Sequence, residues 1–351
     1  MQTVVTGATG HLGNNLVRAL LARGDRVRAV TLPNDDTRPI AGLPLEQVQG
    51  DVRDLGALIW AFRGADIVYH LAGIIAITPG RGDLLHQVNV LGTRNVVQAA
   101  LRCGVRRLVH TASIHALVEP PHGTTIDERM PFDPARIPTE YGRSKARGAL
   151  EVLAGVEQGL DAVICCPSGI IGPYDFQPSE MGRLFLNVAR RRLPAYVQGA
   201  YDFVDVRDVA QGLIAAGEFG RRGESYILSG EVVTVRQLMA LLERATGVRA
   251  PRLGLPTRPA RAVAHLAMKF AALTHTRPLF TDESVDILVS NCCISHEKAT
   301  RELGYAPRPL AETVADTIRW FREVGMLGTP RPSAAEWLRA WRPRKARRAT
   351  D

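Results

Sequence analysis

The run Tyr141-Gly142-Arg143-Ser144-Lys145 holds the residue types best suited to chemistry in this chain. On a helix, side chains four apart share a face, so the Tyr141 phenol and the Lys145 ammonium converge on one place. A free phenol titrates near ~10, and an adjacent cation favours phenolate, which makes tyrosine a proton donor and acceptor near neutral pH. A tyrosine and a lysine at this spacing also occur as an ordinary surface pair, so the neighbours decide what the pair means. Upstream, Ser113 closes the segment Leu108-Val109-His110-Thr111-Ala112-Ser113. In an open α/β sheet a strand ending there puts Ser113 at the carboxyl edge, where ligands collect, and its hydroxyl can bond a substrate oxygen. By itself it also reads as a turn-forming serine.

A second constellation lies at the start of the chain. Gly7, Gly10 and Gly13 follow the apolar segment Val4-Val5-Thr6 and precede Leu12, Leu16, Val17, Leu20 and Leu21, a helical period that ends at Gly24. One glycine permits a tight turn, one lets the backbone approach a phosphate, and one lets the helix pack closely on the strand. The amide groups of the helix's first turn then face an anion. The spacing is G-x-x-G-x-x-G rather than G-x-G-x-x-G, and glycine turns are common; the strand-to-helix context is what points to a dinucleotide pyrophosphate.

These residues need a scaffold, and the first half of the chain supplies one. Gln2–Thr6, Arg26–Leu32, Ile67–Leu71, Arg107–Ser113 and Ala162–Pro167 read as strands, alternating with helices at Leu12–Arg23, Leu55–Phe62, His86–Cys103 and Tyr141–Val156. That rhythm predicts an α/β fold, a doubly wound parallel sheet with helices on both faces, over residues 1–167. Residues 168–327 read as a smaller, mostly helical lobe, with helices at Met181–Arg191 and Val232–Thr246 and with residues 201–228 returning to the first domain. Ala262–Leu273 reads as a buried or groove-lining helix, or as one that dips into a membrane; it is too short to span.

Composition narrows the class. With 351 residues, 46% hydrophobic and 23% charged, the chain has ample material for a core. No apolar run approaches the ~20 residues of a membrane span, and a strand begins at once, which predicts a cytoplasmic protein. The net charge of +9 owes much to Arg339, Arg342, Arg344, Lys345, Arg347 and Arg348 in the basic tail, residues 328–351. A solvated tail is expected there rather than a nucleic-acid surface; Trp337, Leu338 and Trp341 beside it allow weak contact with an anionic membrane. Cys165-Cys166 and Cys292-Cys293 read as buried reduced thiols, and neither cysteines nor histidines show metal-ligand spacing, so no metal is expected.

Taken in order, the motifs carry a resemblance. Gly7-Ala8-Thr9-Gly10-His11-Leu12-Gly13 is followed by Gly50-Asp51-Val52-Arg53-Asp54, His70-Leu71-Ala72-Gly73 and Asn89-Val90-Leu91-Gly92-Thr93. Then come Thr111-Ala112-Ser113, Tyr141 with Lys145, and Cys166-Pro167-Ser168 ahead of Gly172-Pro173. The chain resembles the extended short-chain dehydrogenase/reductase family, the NAD-dependent epimerase/dehydratase superfamily, over about residues 2 to 325. The stretches Tyr201–Ala210 and Glu302–Leu310 look most like its dihydroflavonol-reductase-like and 3β-hydroxysteroid-dehydrogenase-like members.

The resemblance implies roles. Tyr141 is the general acid/base, Lys145 lowers its pKa and binds the nicotinamide ribose, Ser113 holds the substrate oxygen, and Asn89 supports the site. Gly7, Thr9, Gly10, His11, Leu12 and Gly13 cradle the cofactor, Asp51 and Val52 meet the adenine, Leu71, Ala72 and Gly73 wall the phosphates and ribose, and Pro167 and Ser168 sit against the nicotinamide. It also implies a homodimer through the helices His86–Cys103 and Tyr141–Val156. One departure is that Leu32 stands where relatives place an acid for NAD or an arginine for NADP. Asp35 or Asp36 could serve NAD, and Arg38 or Arg28 NADP; two acids stand nearest, which favours NAD. The expected activity interconverts a secondary alcohol and a ketone on a fairly apolar or ring-containing small molecule. The alternatives are a nucleotide-sugar epimerase or dehydratase with recycled NAD, using Arg183, Arg190, Arg191 and Arg192 on a diphosphate, and a non-catalytic dinucleotide sensor.

Overall fold

A computed structural model describes residues 1–75, 81–257, 286 and 288–328. The segment Ala262–Leu273 and the basic tail with Trp337, Leu338 and Trp341 lie outside the described residues. The large sheet contains β1 (Gln2–Thr6), β2 (Arg26–Thr31), β3 (Glu46–Gln49), β4 (Ile67–His70), β5 (Arg107–Thr111), β6 (Ala162–Pro167) and a returning strand, Ser225–Leu228. Its order is β3-β2-β1-β4-β5-β6 followed by the returning strand, and every pairing is parallel. The order reverses between β1 and β4, so the loops leaving those two strands part and open a crevice at their carboxyl ends.

Both faces of the sheet are covered, which is why its central strands are apolar runs without polar alternation. Successive side chains feed opposite cores. Val4, Val68 and Leu108 join the core under α2 (Leu55–Phe62), α4 (Gly92–Arg102) and α5 (Glu140–Glu157), whereas Val5, Tyr69 and Val109 join the core under α1 (His11–Ala22) and α7 (Val206–Phe219). Local signals set the helix starts. Asp54 accepts from the Gly56 and Ala57 amides to start α2, and the Thr139 hydroxyl accepts from Gly142 N to start α5.

Three expectations needed correction, and one strand of the large sheet was not anticipated. The helix expected at His86–Cys103 begins earlier, as α3 (Gly82–Leu85), and passes through a wide π-helical stretch, His86–Leu91, before α4. Residues 232–234 belong to a strand, Glu231–Thr234, which pairs antiparallel with Ala200–Asp205; a Thr234–Gln237 capping box then starts α8 (Val235–Thr246). The edge strand β3 was not anticipated, since Glu46-Gln47-Val48-Gln49 buries only Val48 and has no apolar pattern to read. Cys165 and Cys166 are buried in β6, but Cys292 is half-buried and Cys293 exposed, both outside any strand.

The second lobe is held by a separate core. Strands β7 (Gly169–Ile171), β9 (Ala200–Asp205) and β11 (Glu231–Thr234) form a small sheet packed with α6 (Glu180–Ala189), α8 and α10 (Leu310–Glu323). The short strands β8 (Tyr196–Val197) and β12 (Gly254–Leu255) pair beside it, and β10 is the returning strand of the large sheet. The intervening α9 (Glu297–Leu303) packs under the large sheet, through Ala299 and Leu303. Asp205 caps α7 and pairs with Arg207, which also reaches Asp316 on α10; Arg308 meets Asp208 in a bidentate pair. Asp205 therefore caps a helix and joins the two cores, and Asp208, in the first turn of the same helix, ties it to Arg308. Among the described residues no helix is long and apolar enough to cross a membrane.

Candidate active site

The glycine turn is shaped by contact. Gly7 has φ +72°, and a Cβ there would stand 2.7 Å from Ala72 N; a Cβ on Gly13 would stand 2.0 Å from the Gly7 carbonyl oxygen. Strand, turn and helix thus meet with no space for side chains. Gly10 caps α1 without a side-chain acceptor, and no acid occupies the helix's first turn. Amides left free of such partners at a helix start form a seat for an anion, so the cradle fits a dinucleotide pyrophosphate.

Around that turn, polar contacts hold the walls. The Thr9 hydroxyl donates to Asp35 at 2.6 Å, which brings one of the two candidate acids to the glycine turn. Asp36 is paired with Arg38, which holds its carboxyl down to about 2. Arg28 donates to Glu46 and to the carbonyls of Ala61 and Arg63, so it is engaged at the far end of α2 and not at the turn. His11, Asn14 and Asn15 on α1 contact the carbonyls of Pro173 and Tyr174, fastening the start of the second lobe to the cradle helix. Leu12 and Leu71 pack into the core beneath α1. Val52 lies against Gly92, where a Cβ would stand 2.7 Å from its Cγ2, while the Asp51 carboxylate is held below its ordinary range by hydrogen bonds from Arg53.

The catalytic candidates converge at the ends of β5 and α5. Lys145 Nζ is buried and donates to the Thr111 carbonyl at 2.6 Å, two residues before Ser113. Burial pushes its ammonium down to about 8, low for lysine yet still charged at neutral pH. Ser113 is buried at the turn after β5, where its hydroxyl oxygen accepts from His115 N at 3.2 Å. Tyr141 lies one helical turn before Lys145, and Gly142 packs against the His115 carbonyl, where a Cβ would stand 2.6 Å away. The first turn of α5 is thereby pressed onto the Ser113 turn. Asn89, buried in the π-helical stretch, exchanges hydrogen bonds with both backbone groups of Ile74 and donates to Ser144 Oγ, whose hydroxyl donates to the Tyr141 carbonyl. Gly73 sits between them: a Cβ there would stand 3.2 Å from Asn89 Oδ1 and 3.6 Å from Lys145 Nζ.

On the substrate side, Pro167 ends β6 and the Ser168 hydroxyl is bonded to the buried Asp202, whose carboxyl burial pushes upward. Tyr201 and His115 meet across the lobes, Oη to Nε2, at 2.8 Å with nearly parallel rings, and the Tyr141 phenol adds to the forces that hold Tyr201 protonated, after burial and Asp202. Sequence reading passed over His115, Tyr201 and Ser144. Ser144 was legible inside the Tyr141–Lys145 motif; the other two are 86 positions apart, and nothing local links them. Of the arginines considered for a diphosphate, Arg183 is bound to Glu180 and the Pro178 carbonyl, and Arg190 to the Met326 carbonyl.

Comparison with known proteins decides the lineage of this arrangement. The profile of the NAD dependent epimerase/dehydratase family matches residues 3–229. The chain belongs to that family. Its fold and motif order are those of an extended short-chain dehydrogenase/reductase, and it is an NAD-dependent epimerase/dehydratase-family oxidoreductase. Sterol demethylase protein B of Methylococcus capsulatus is 41% identical over 331 residues, which span 93% of this chain and 100% of that protein. An Arabidopsis thaliana 3beta-hydroxysteroid-dehydrogenase/decarboxylase, isoform 1, is 28% identical over 370 aligned positions, spanning 95% of this chain and 83% of that one. Among solved structures, gox2253 is 36% identical with a TM-score of 0.81, covering 93% of this chain and 99% of its own. PA4631, a nucleoside-diphosphate-sugar epimerase from Pseudomonas aeruginosa, is 25% identical with a TM-score of 0.77 over the same shares.

Proposed function

We propose that this family member interconverts a secondary alcohol and a ketone on a fairly apolar, ring-containing small molecule, with NAD as the preferred cofactor. The observation that carries the reading is the convergence of Lys145, Ser113 and Tyr141 at the end of β5, next to the glycine cradle. NAD, held by the glycine turn, would take up or supply the hydride. Ser113 holds the substrate oxygen by its hydroxyl. In the oxidative direction the Tyr141 phenolate takes the hydroxyl proton, and in the reductive direction the phenol returns it to the carbonyl oxygen. The Lys145 charge, kept in a buried place, favours the phenolate, and Asn89 with Ser144 holds the helix start that carries Tyr141. Asp35, held at the turn by Thr9, supports NAD over NADP through the adenosine ribose hydroxyls.

The substrate class rests on two supports. The lobe strand β9 brings Tyr201, backed edge to face by Phe203, onto His115 at the Ser113 turn, and two of the four arginines considered for a diphosphate are already occupied. The sterol and hydroxysteroid names among the relatives point the same way. Tyr141→Phe is expected to lower kcat by about 10²–10⁴, the usual worth of a positioned acid/base, with cofactor binding retained; full turnover of an identified substrate by this variant would reject the mechanism. A sugar epimerase, by contrast, would show no net change in reduced-nicotinamide absorbance during turnover. A homodimer through the outer faces of α4 and α5 is part of this proposal, tested by analytical ultracentrifugation.

A further inference from the structure

Beneath the site, four residues on four elements and Ala72 in the loop after β4 form one line of hydrogen bonds. Thr93 Oγ1 donates to the Asn89 backbone carbonyl at 2.8 Å, which uses its only proton. Its 3.0 Å contact with His70 Nε2 must therefore be donated by the imidazole. His70 is wholly buried, and burial, followed by the charge of Lys145, holds its ring down to about 3, so it is neutral at working pH. With the proton on Nε2, Nδ1 is bare and accepts from Thr6 Oγ1 at 2.8 Å. Thr6 Oγ1 in turn accepts from Ala72 N at 3.2 Å, the amide against which Gly7 is packed. Every link points the same way, from Ala72 through Thr6, His70 and Thr93 to Asn89, and such a line polarises its members cooperatively.

We infer that His70 is a positioning residue: as a neutral Nε2–H imidazole it ties the wall of the dinucleotide cradle to the helix segment that carries Asn89. Its two arms serve different ends. The Thr6 arm fixes the Ala72 wall beside the glycine turn. The Thr93 arm fixes Asn89, whose side chain holds Ser144 and through it the Tyr141 carbonyl. The inference rests on the proposed catalytic reading for what Asn89 supports, and on geometry alone for the tautomer.

Nitrogen chemical shifts of His70 in the full-length protein, with and without NAD, test the tautomer without any substrate. A bare Nδ1 and a protonated Nε2 are expected at neutral pH; the opposite tautomer or a charged ring overturns the inference. Two half-replacements then separate the arms. Asparagine can present an acceptor where Nδ1 stood, and glutamine a donor where Nε2 stood. His70→Gln is expected to weaken NAD binding, read by fluorescence titration, about fivefold with kcat within about twofold of wild type; His70→Asn is expected to keep NAD affinity and to lower kcat about fivefold, as for a lost neutral hydrogen bond. Parallel losses in both variants, or none in either, would make His70 mere packing. If Tyr141→Phe retained turnover while the tautomer and the titrations came out as expected, the catalytic reading would fall and the structural tie would stand.

Discussion

Gly13 and Tyr201 lie on opposite sides of the same site and are held in opposite ways. On the cofactor side, backbone meets backbone so closely that a single carbon on Gly13 would stand 2.0 Å from a carbonyl oxygen. On the proposed substrate side, Tyr201 from the lobe core and His115 from the turn after β5 meet tip to tip across the lobes. The cofactor half is therefore specified by residues that must lack side chains, and the substrate half by side chains that can be exchanged. If the lobe lines the substrate, as proposed, its lining can change without disturbing the cradle.

The sharpest way to break the contrast is at the glycines. Gly13→Ala is expected to lower NAD affinity by more than about a hundredfold and to destabilise the fold by about 3 kcal/mol, since the backbone of two elements must separate. Gly10→Ala should leave the melting temperature nearly unchanged, because its Cβ would stand 3.4 Å from the nearest atom, at the edge of ordinary contact. Equal melting losses in the two variants would contradict this account of the cradle.

Lys145 sharpens the contrast from the catalytic side. Its pKa is lowered in the folded state, to about 8 from 10.5, so burying its charge costs stability below pH ~8, and that cost fades as pH rises toward 10.5. Lys145→Met is therefore expected to lose about a hundredfold or more in kcat and yet to melt no lower than wild type at pH 7. Its advantage in stability, about 1–3 kcal/mol at most, should vanish by pH 10.5. Denaturant titrations at the two pH values check the sign.

Acid probes the buried His70 and His110 and the half-buried His115. Burial holds His70 to about 3 and His115 to about 4, and lowers His110 well below its ordinary value, with His70 and Lys145 adding to the effect on His110. Groups lowered in the folded state take up protons on unfolding, so stability is present above ~6.5 and is lost as pH falls from there toward 4. Each such histidine contributes a slope of about 1.4 kcal/mol per pH unit. His115→Phe should flatten the melting curve below pH 6 by the share of one histidine; an unchanged curve would place that ring in contact with water.

Tyr201→Phe is expected to show the smallest effect, about 1 kcal/mol in stability with cofactor affinity intact, because it removes one hydrogen bond between the lobes and keeps the ring. A loss of NAD affinity in this variant would blur the division between the halves.

Much of the fold was legible because its signals are local. The strand-to-helix rhythm through Pro167 works by periodicity, and the glycine turn by residues whose one requirement is the absence of a side chain. The edge strand Glu46–Gln49 was not legible, since it buries a single side chain. The π-helical stretch around Asn89 was missed because six residues are too few for a changed period to stand out from the helical turns on either side. In the second lobe, residues 232–234 of the strand Glu231–Thr234 were read as helix because their partner, Ala200–Asp205, lies about thirty residues earlier and only pairing makes them a strand.

The sequence by itself determined the doubly wound sheet, the glycine turn and the placing of Tyr141 one helical turn before Lys145, because each follows from spacing within one element or one turn. Tertiary structure alone decided that Asp35 and not Arg28 stands at the glycine turn, that Lys145 is seated on the Thr111 carbonyl, and that His70 lies between Thr6 and Thr93. Those outcomes depend on which distant groups are left to accept or donate once the chain has packed, and no residue announces its partner in advance.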